Sequence, residues 1–297
     1  MIPKADGSMR PLGIPTIRDR VAQMAVKLVI EPIFEADFCE HSYGFRPRKS
    51  AHQAIDAIAE GLHQGQMQVI DADLSKYFDS IPHSKLLSTV AERIADGATL
   101  ALIKQWLKAP ILGDTGNGKT GCVGGGKGNR KGTPQGGVIS PLLSNLYLHL
   151  LDRIWQRHEL ARKLQAKLVR YADDFVVLCR KDVATPLEII RNILERLELN
   201  LNEGKTKIVD ANQEEFYFLG FALKTNISAK GKRYPHVQPR EKAVEKVKAR
   251  INEITARNQT WRPIQDVVRD MNQLLRNQWG RNQWRNQWGR INGVRLN

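Results

Sequence analysis

The chain has 297 residues, 41% of them apolar, which is enough to bury a core and to form about two compact units. Its formal net charge of +15 is uneven, because residues 222–297 carry 17 Lys and Arg against 5 Asp and Glu, a net of +12. This composition argues against a disordered chain. It predicts a globular protein whose C-terminal part binds a polyanion, with a solvated charged helix as the alternative.

Two further properties exclude classes of protein. Cys39, Cys122 and Cys179 are an odd number without metal-ligand spacing, which argues against a disulfide framework and a zinc site. No apolar run approaches the length of a membrane span, and the N-terminal sequence MIPKADGSMRP lacks the apolar stretch of a signal peptide. We therefore expect a soluble, cytoplasmic protein with no membrane partner.

Apolar periodicity divides the first half of the chain into helices and one strand. The first predicted helix covers residues 21–33 and ends near Pro32; its apolar periodicity is given by Val21, Ala25, Leu28, Val29 and Ile33. A helix over 51–62 with Ser50 as its N-cap, a strand over 68–74, and helices over 84–94 and 99–107 follow in chain order. No period fits the glycine-rich residues 113–132, which are predicted to be a loop.

The second half combines a hairpin with further helices. The predicted elements are a helix over residues 140–155, strands over 168–171 and 175–179, a helix over 186–199, short strands near 207–209 and 216–223, and two amphipathic helices that begin near Pro239 and Pro263. Only Ala172-Asp173-Asp174 separates the strands of the hairpin. This short connection predicts a β-hairpin with acidic residues at its turn.

Carboxylates stand where two predicted strands end: Asp71 and Asp73 on the first strand, and Asp173 and Asp174 at the hairpin turn. Adjacent strands would bring them together. Transfer of a nucleotidyl group to a 3′-hydroxyl uses two Mg²⁺ ions about 4 Å apart, which prefer hard oxygen ligands. Strand alternation places Asp71 and Asp73 on one face and does not choose between them. The ordinary alternative is a set of turn and cap residues.

The order of the motifs favours the catalytic interpretation. Tyr-Ala-Asp-Asp at 171–174 resembles motif C of reverse transcriptases, and residues 73–79 resemble motif A, where a metal-binding Asp precedes an aromatic residue by five positions. That spacing selects Asp73. The resemblance implies that Asp73, Asp173 and Asp174 hold two Mg²⁺ ions, or Mn²⁺ in their place, and that Phe78 is a steric gate against the 2′-hydroxyl of ribonucleotides.

Residues 132–146, GTPQGGVISPLLSNL, resemble motif B of group II intron and related bacterial reverse transcriptases almost letter for letter. Gly136 and Gly137 permit a close approach of the backbone. The resemblance implies that Gln135 and Gly136 contact the incoming nucleotide or the template base beside it. A turn followed by a helix would explain the glycines but not the whole string.

The fingers of the same family are represented by two motifs. Residues 2–15, IPKADGSMRPLGIP, resemble the fingertip hairpin, which implies that Lys4 and Arg10 bind the nucleoside triphosphate. Tyr43-Gly-Phe-Arg46-Pro matches a further motif, and the resemblance implies that Tyr43 and Arg46 lie on the template side.

Two later motifs complete the resemblance. Residues 200–207 are similar to motif D, in which Lys205, with Lys207 as second candidate, would protonate the leaving pyrophosphate. A charged strand-edge turn is the ordinary alternative. Phe218-Leu-Gly220-Phe resembles the primer grip, which would hold the primer 3′ end, although its aromatic residues suit a core equally well.

One motif points elsewhere. Residues 113–120 satisfy GxxxxGKT, the pattern of a phosphate-binding P-loop. Such a loop needs a helix whose N-terminus faces the phosphate, whereas the sequence that follows, GCVGGGKGNRKG, cannot start a stable helix. We interpret this stretch as a flexible insertion.

The resemblance covers residues 2–280, with departures at both ends. Members usually carry an N-terminal extension and continue into a full maturase segment, so the chain is interpreted as shortened. Asn-Gln-Trp recurs at 277, 282 and 286. This repeat is either a stacking platform for single-stranded nucleic acid or a repeat slip in a decaying gene. Spacings of five and four residues suit neither a helix face nor a strand face, which favours the slip.

The sequence therefore predicts an α+β right-hand polymerase with fingers at 1–65 and 84–135, a palm at 66–83 and 136–223, and a basic helical thumb at 224–297. The resemblance implies an RNA-directed DNA polymerase that copies an RNA template, expected to be intron RNA, by extending a DNA or RNA primer with dNTPs. Two alternatives remain: an RNA-binding maturase without polymerase activity, and a reverse transcriptase of a retron, diversity-generating or CRISPR-associated system.

Overall fold

The computed structural model describes residues 2–3, 9–10, 13–114 and 120–279. Their contacts form two compact units. The first comprises the described residues up to Phe216 together with Lys224–His236, and the second comprises Tyr217–Leu223 and the described residues from Val237 onward. Lys4 and most of the Asn-Gln-Trp repeat lie outside the described residues.

The helices are α1 Ile17–Glu35, α2 Ala51–His63, α3 Tyr77–Ser80, α4 His83–Ala91, α5 Gly97–Leu107, α6 Ser140–Arg157, α7 Leu160–Lys163, α8 Ala184–Arg196, α9 Glu241–Ile254 and α10 Ile264–Trp279, with a 3₁₀ turn at Arg257–Gln259. The strands are β1 Ile2–Pro3, β2 Met9–Arg10, β3 Gln68–Ala72, β4 Ile111–Asp114, β5 Thr120–Gly124, β6 Ala166–Tyr171, β7 Asp174–Cys179, β8 Lys207–Asp210, β9 Phe216–Phe218, β10 Phe221–Ile227 and β11 Arg233–Pro239.

A four-stranded antiparallel sheet in the order β6-β7-β3-β8 lies at the centre of the first unit. Phe175 and Val177, on one face of β7, join the main apolar core with α6 and α8. Val176 and Leu178, on the other face, lie on the side covered by α2, where Gly61 leaves room for Leu178. The sheet is therefore enclosed by helices on both faces, which explains why β7 is a continuous apolar run rather than an alternating one.

Helix α1 is longer than predicted, because it does not end at Pro32. The side chain of Thr16 caps its first turn by accepting a hydrogen bond from the backbone N–H of Asp19 at 3.2 Å, and the helix continues to Glu35. Proline removes only the hydrogen bond to the carbonyl of Leu28. Burial of Phe34 in the core stabilises the last turn beyond it.

Most of the apolar residues that identified α1 in the sequence do not face the core, although Ile33 packs against it. The structure buries Gln23, Ile30 and Phe34 on the core side. The apolar residues of the helix that face solvent are Ile17, Val21, Met24, Leu28 and Val29. Periodicity identified a helix with an apolar stripe but could not show which stripe meets the core, since both faces of α1 contain aliphatic side chains.

Two stretches predicted as other structure form strands. The glycine-rich region contains the antiparallel hairpin β4–β5, in which Asp114 pairs with Thr120. Thr120, the last residue of the P-loop pattern, thus begins a strand and not a helix, which confirms that this pattern was a decoy. At the start of the basic tail, β11 lies where no strand was predicted, so the helices of the tail begin only at Glu241.

The hairpin β6–β7 is held by the guanidinium of Arg170, which is 0% exposed. Its Nε and Nη2 donate to the Asp152 carboxylate at 3.0 and 2.6 Å, and Nη2 also donates to Ser42 Oγ at 2.6 Å. Its Nη1 donates to Asn145 Oδ1 and to the Ala172 carbonyl at 3.0 and 2.9 Å. Burial alone would raise the pKa of Asp152, but the Arg170 charge and these hydrogen bonds outweigh it and lower that pKa.

The loop around Gly44 supports the same hairpin from another side. The N–H of Tyr43 donates to the Arg170 carbonyl at 2.8 Å, and Asn145 Nδ2 donates to the Gly44 carbonyl. A Cβ on Gly44 would lie 2.2 Å from the backbone nitrogen of Ala172, so only glycine fits there. Ala172 itself has a φ of +57°, as tight two-residue hairpin turns require. Strand β6, helix α6 and this loop together fix the turn.

We predict that Phe34→Ala lowers the free energy of unfolding by about 3–5 kcal/mol, because Phe34 is 1% exposed and its loss leaves a cavity. Leu28→Ala, on the same helix at 64% exposure, should change it by less than about 0.5 kcal/mol. Urea denaturation of both variants measures these values. The assignment of the faces of α1 is contradicted if Leu28→Ala is the more destabilising change.

We predict that Arg170→Met lowers the free energy of unfolding by about 3–5 kcal/mol, because it leaves the Asp152 carboxylate buried without its partner. Burial then raises the pKa of Asp152 in the folded variant, so the folded state binds more protons than the unfolded one. Its stability should rise relative to wild type as the pH falls from about 7 to 5.

In the wild type the stability changes with pH in the opposite direction. The lowered pKa of Asp152 stabilises the folded state at pH values above 3.8, the ordinary pKa of the group, and this stabilisation is lost as the pH falls further. The matched control is Arg153→Met, which removes an exposed ion pair with Glu92 and should cost less than about 1 kcal/mol. Equal losses in the two variants, at all pH values, would contradict the prediction.

Candidate active site

Strand register brings the predicted carboxylates together at one end of the sheet. In the antiparallel ladder between β3 and β7, Asp71 pairs with Val176 and Ala72 with Phe175. One further step places Asp73 opposite Asp174, the first residue of β7. Asp173 precedes it in the two-residue turn that links β7 to Tyr171. Three carboxylates from two chain segments, 100 residues apart, thus share one edge of the sheet.

The electrostatics of this edge reflect the proximity of the acids. The pKa of Asp174 is raised to about 6, first because the surrounding protein displaces water and then because Asp173, Asp73 and Asp71 repel its negative charge. Asp71 also has a pKa of about 6, mainly from burial, although Lys207 opposite it in the β3–β8 ladder lowers the value. Asp71 is thus enclosed within the sheet, whereas Asp73 lies beyond the last ladder pair.

A divalent ion suits this set of donors. The four side chains offer only hard carboxylate oxygens, as Mg²⁺ prefers, and their mutual repulsion is what a cation relieves. Within the described residues, no three His, Cys, Asp or Glu side chains are already gathered at the spacing of metal ligands. The backbone therefore sets the carboxylates side by side, while the final ligand distances depend on side-chain rotation.

Asp73 is held by the turn that contains the predicted motif D lysine. Its Oδ2 accepts a hydrogen bond from Asn202 Nδ2 at 3.1 Å and lies 3.6 Å from Lys205 Nζ. The Lys205 side chain is 66% exposed and the Asp73 side chain 32%, so both are accessible from solvent. The structure thus places Lys205 beside Asp73, and Lys207 in β8 beside Asp71.

Phe78 lies in α3, directly after the carboxylate edge. Its side chain is 8% exposed, and its ring packs against that of Tyr77 edge to face at 5.6 Å between centroids. Its carbonyl accepts a hydrogen bond from the Thr133 N–H at 2.7 Å. The motif A helix is therefore hydrogen-bonded to the start of motif B. Because the Phe78 ring is buried, it has little room to change its orientation.

The motif B loop is shaped by contacts with the segment before α1 and with α1 itself. The Gln135 carbonyl accepts a hydrogen bond from the Gly13 N–H at 2.7 Å, and Gln23 Oε1 accepts from the Val138 N–H at 2.8 Å. Gly136 has a φ of +106°, in the region that favours glycine. Gly136 is exposed and Gln135 half-buried, so this turn is open to a ligand.

The expected template residues Tyr43 and Arg46 are both buried. Nε and Nη2 of Arg46 donate to the Glu35 carboxylate, and Nη1 donates to the carbonyls of Cys39 and Ser42 at 2.7 and 2.6 Å. These donors are engaged inside the protein, which departs from the expected template contact. The role that the geometry favours for Arg46 is to hold the 39–48 loop to the end of α1.

The remaining predicted residues lie elsewhere. Strands β1 and β2 form the expected fingertip hairpin, with Ile2 opposite Arg10, but the side chain of Arg10, like Lys4, is not described. In the second unit, Leu219 and Gly220, at φ values of +49° and +82°, form the turn between β9 and β10. Phe218 is buried there, as the core alternative has it.

Sequence reasoning assigned no role to six residues that support the site. Asn202 contacts the Asp73 carboxylate, and the others hold the surrounding backbone: Ser42, Asn145, Asp152, Arg170 and Gln23. The signal for Arg170 and Asp152 was a charge inside an otherwise apolar strand or helix, since such charges are buried only with a partner. Their pairing could not be deduced, because it joins α6 to β6 only in three dimensions.

No helix in the described part of the chain combines the length and apolar character needed to cross a bilayer.

Residues 2–223 match the family described as reverse transcriptase (RNA-dependent DNA polymerase). The chain is 37% identical over 278 residues to protein YkfC of Escherichia coli K12, covering 82% of the chain and 70% of YkfC. It is 34% identical over 212 residues to the group II intron-encoded protein LtrA of Lactococcus lactis, covering 71% of the chain but 32% of LtrA. The chain therefore spans about a third of LtrA.

Among solved structures, apo telomerase from Candida tropicalis is similar to the chain with a TM-score of 0.52. The similarity covers 69% of this chain and 39% of the telomerase chain. At 13% identity this likeness concerns the fold alone, and it confirms the predicted right-hand polymerase architecture. Enzymes of this family generally use divalent metal ions, in agreement with the carboxylate edge. The chain belongs to the reverse transcriptase (RNA-dependent DNA polymerase) family, and within it resembles the group II intron-encoded proteins.

Proposed function

We propose that this chain is an RNA-directed DNA polymerase that extends a primer 3′-hydroxyl with dNTPs. The observation that carries the proposal is the β3–β7 register, which ends at the pair Ala72–Phe175, so that Asp73 and Asp174 follow at the same end of the sheet. The charges of Asp73 and Asp173, which raise the pKa of Asp174, support their proximity. Family membership over residues 2–223 supports the same conclusion independently. The proposed division is fingers at 1–65 and 84–135, palm at 66–83 and 136–223, and thumb from 224 onward.

In the proposed reaction the primer 3′-oxygen attacks the α-phosphorus of the dNTP. The bond from that phosphorus to the oxygen bridging to the β-phosphate breaks, and pyrophosphate leaves. Asp73, Asp173 and Asp174 would hold two Mg²⁺ ions, which when bound stabilise negative charge on the attacking and leaving oxygens. Lys205 would donate a proton to the pyrophosphate, a role that its ammonium, 3.6 Å from Asp73, supports by lying beside the carboxylate edge.

Binding of the nucleotide is assigned, by the resemblance, to the fingertip hairpin and to the motif B turn. Lys4 and Arg10 of the fingertip hairpin would bind the triphosphate, and the exposed turn at Gln135 and Gly136 would contact the base or sugar. Phe78 would close the space beneath the sugar. Its restricted ring suits this role, because a gate that could swing aside would admit a ribonucleotide.

The primer and template contacts are proposed on resemblance. Phe218 and Gly220 would form the primer grip, in which the backbone of the tight turn, more than the buried Phe218 ring, would meet the primer. Tyr43 is buried, so the exposed surface of its loop, and not its side chain, would lie near the template. Arg46 would hold that loop in place.

The template is proposed to be RNA, and specifically intron RNA. The similarity to LtrA and the net charge of +12 over residues 222–297 support this choice. A cytoplasmic location is proposed with it. Structured-RNA binding that weakens steeply with salt, without primer extension under Mg²⁺ or Mn²⁺, would instead select a maturase that lacks polymerase activity.

We predict that Asp173→Ala lowers primer extension on an RNA template by at least about 10³-fold, equivalent to about 4 kcal/mol of transition-state stabilisation. Asp56→Ala, an exposed carboxylate on α2, is the control and should keep wild-type activity. The isosteric pair Asp73→Asn and Asp71→Asn separates the two strand carboxylates, because only the first should abolish extension. Equal, metal-independent extension by wild type and Asp173→Ala would end the proposal.

We predict that Phe78→Val reduces discrimination against ribonucleotides by about 10-fold to 100-fold, because a smaller side chain opens space for the 2′-hydroxyl. The measurement is the ratio of kcat/KM for dCTP and CTP. Tyr77→Phe, which keeps the neighbouring ring, should leave the ratio unchanged. If Phe78→Val loses activity toward both nucleotides in equal proportion, Phe78 is a core residue and not a gate.

A further inference from the structure

Two backbone hydrogen bonds join the turn at residues 200–206 to the end of β3. The N–H of Ser75 donates to the Asn200 carbonyl at 2.9 Å, and the N–H of Asn202 donates to the Asp73 carbonyl at 2.8 Å. Leu74 and Leu201 form an antiparallel bridge between these two bonds. Docking of the turn therefore does not require the side chain of Asn202.

The side chain of Asn202 makes an additional contact, with the carboxylate itself. Its Nδ2 donates to Asp73 Oδ2 at 3.1 Å, and this is the oxygen that lies 3.6 Å from Lys205 Nζ. Both contacts are made with Oδ2 of the Asp73 carboxylate. A carboxylate fixed through one oxygen presents the other in a defined direction, and the β3–β7 register places Asp174 across from it.

Asn202 also organises the turn that carries the lysine. Its carbonyl accepts hydrogen bonds from the N–H groups of Lys205 and Thr206 at 3.0 and 2.8 Å. Asn202 thus fixes the orientation of Asp73 through its side chain. Through its carbonyl it also fixes the backbone that leads from Lys205 into β8. An uncharged amide is suited to this position, because a second cation would neutralise Asp73 and a carboxylate would repel it.

We propose that Asn202 is a positioning residue for the metal site: its amide holds Asp73 Oδ2 so that Oδ1 faces the space shared with Asp173 and Asp174. This inference rests on the proposed function for the identity of the metal site. Without the amide, Asp73 is free to rotate toward Lys205, so both its alignment as a ligand and the availability of the lysine decline.

The test compares Asn202→Ala with Asn200→Ala, which alters an exposed asparagine of the same turn whose carbonyl, not its side chain, makes the docking bond. Mn²⁺ binding to the free protein is measured by electron paramagnetic resonance, with Mg²⁺ as competitor. We expect Asn202→Ala to weaken Mn²⁺ binding by about 10-fold and to raise the Mg²⁺ concentration for half-maximal primer extension by a similar factor. Its melting temperature should equal that of Asn200→Ala.

A lowered melting temperature of Asn202→Ala would call for Asn202→Ser, which keeps a donor and suits a turn, and should bind Mn²⁺ more tightly than the alanine variant. Unchanged Mn²⁺ affinity in Asn202→Ala, or no Mn²⁺ binding by the wild type, overturns the inference. If the wild type binds Mn²⁺ and Asn202→Ala weakens that binding, but the wild type extends no primer, the inference stands and the proposed polymerase function is removed.

Discussion

The ion pair between Arg170 and Asp152 is the interaction on which the rest of the first unit depends. The Arg170 guanidinium is wholly buried, so each of its N–H donors must meet an acceptor. These acceptors come from α6, from the loop before Gly44 and from the hairpin turn itself. Removing any one partner leaves a charge or a polar group without compensation. The geometry of the turn that carries Asp173 is thereby tied to elements far along the chain.

This rigidity has a functional reason. Carboxylates of like charge repel one another at the sheet edge, and this repulsion adds to the effect of burial in raising the pKa of Asp174. A flexible turn would relieve that repulsion by moving apart. Here the close approach of Gly44 to Ala172 and the hydrogen bond from Arg170 to the Ala172 carbonyl prevent such movement. The protein thus maintains an unfavourable concentration of charge, of the kind that divalent cations stabilise.

Local pattern was sufficient for most elements, and its failures have a common cause. The YADD hairpin, α2 with its Ser50 cap and α6 were predicted because their signals are local: two short apolar runs on either side of an acidic turn, an N-cap serine and helical spacing. The exposed face of α1 and strand β11 were missed, because an apolar stripe does not state what it faces and an edge strand with polar residues has weak periodicity. Arg46 was placed at the template by resemblance to a family motif, because its pairing with Glu35 forms only in the folded chain.

The sequence by itself determined the family, the order of the motifs and the identity of the candidate ligands, because residue type and spacing are properties of a linear chain. It also chose Asp73 over Asp71, through the distance to Phe78 in the motif. Only the tertiary structure decided that Asp73 faces Asp174, that Asn202 and not Lys205 makes the closer contact with Asp73, and that Arg170 holds the turn. These outcomes depend on strand register and on packing between distant segments, and neither is encoded at any single position.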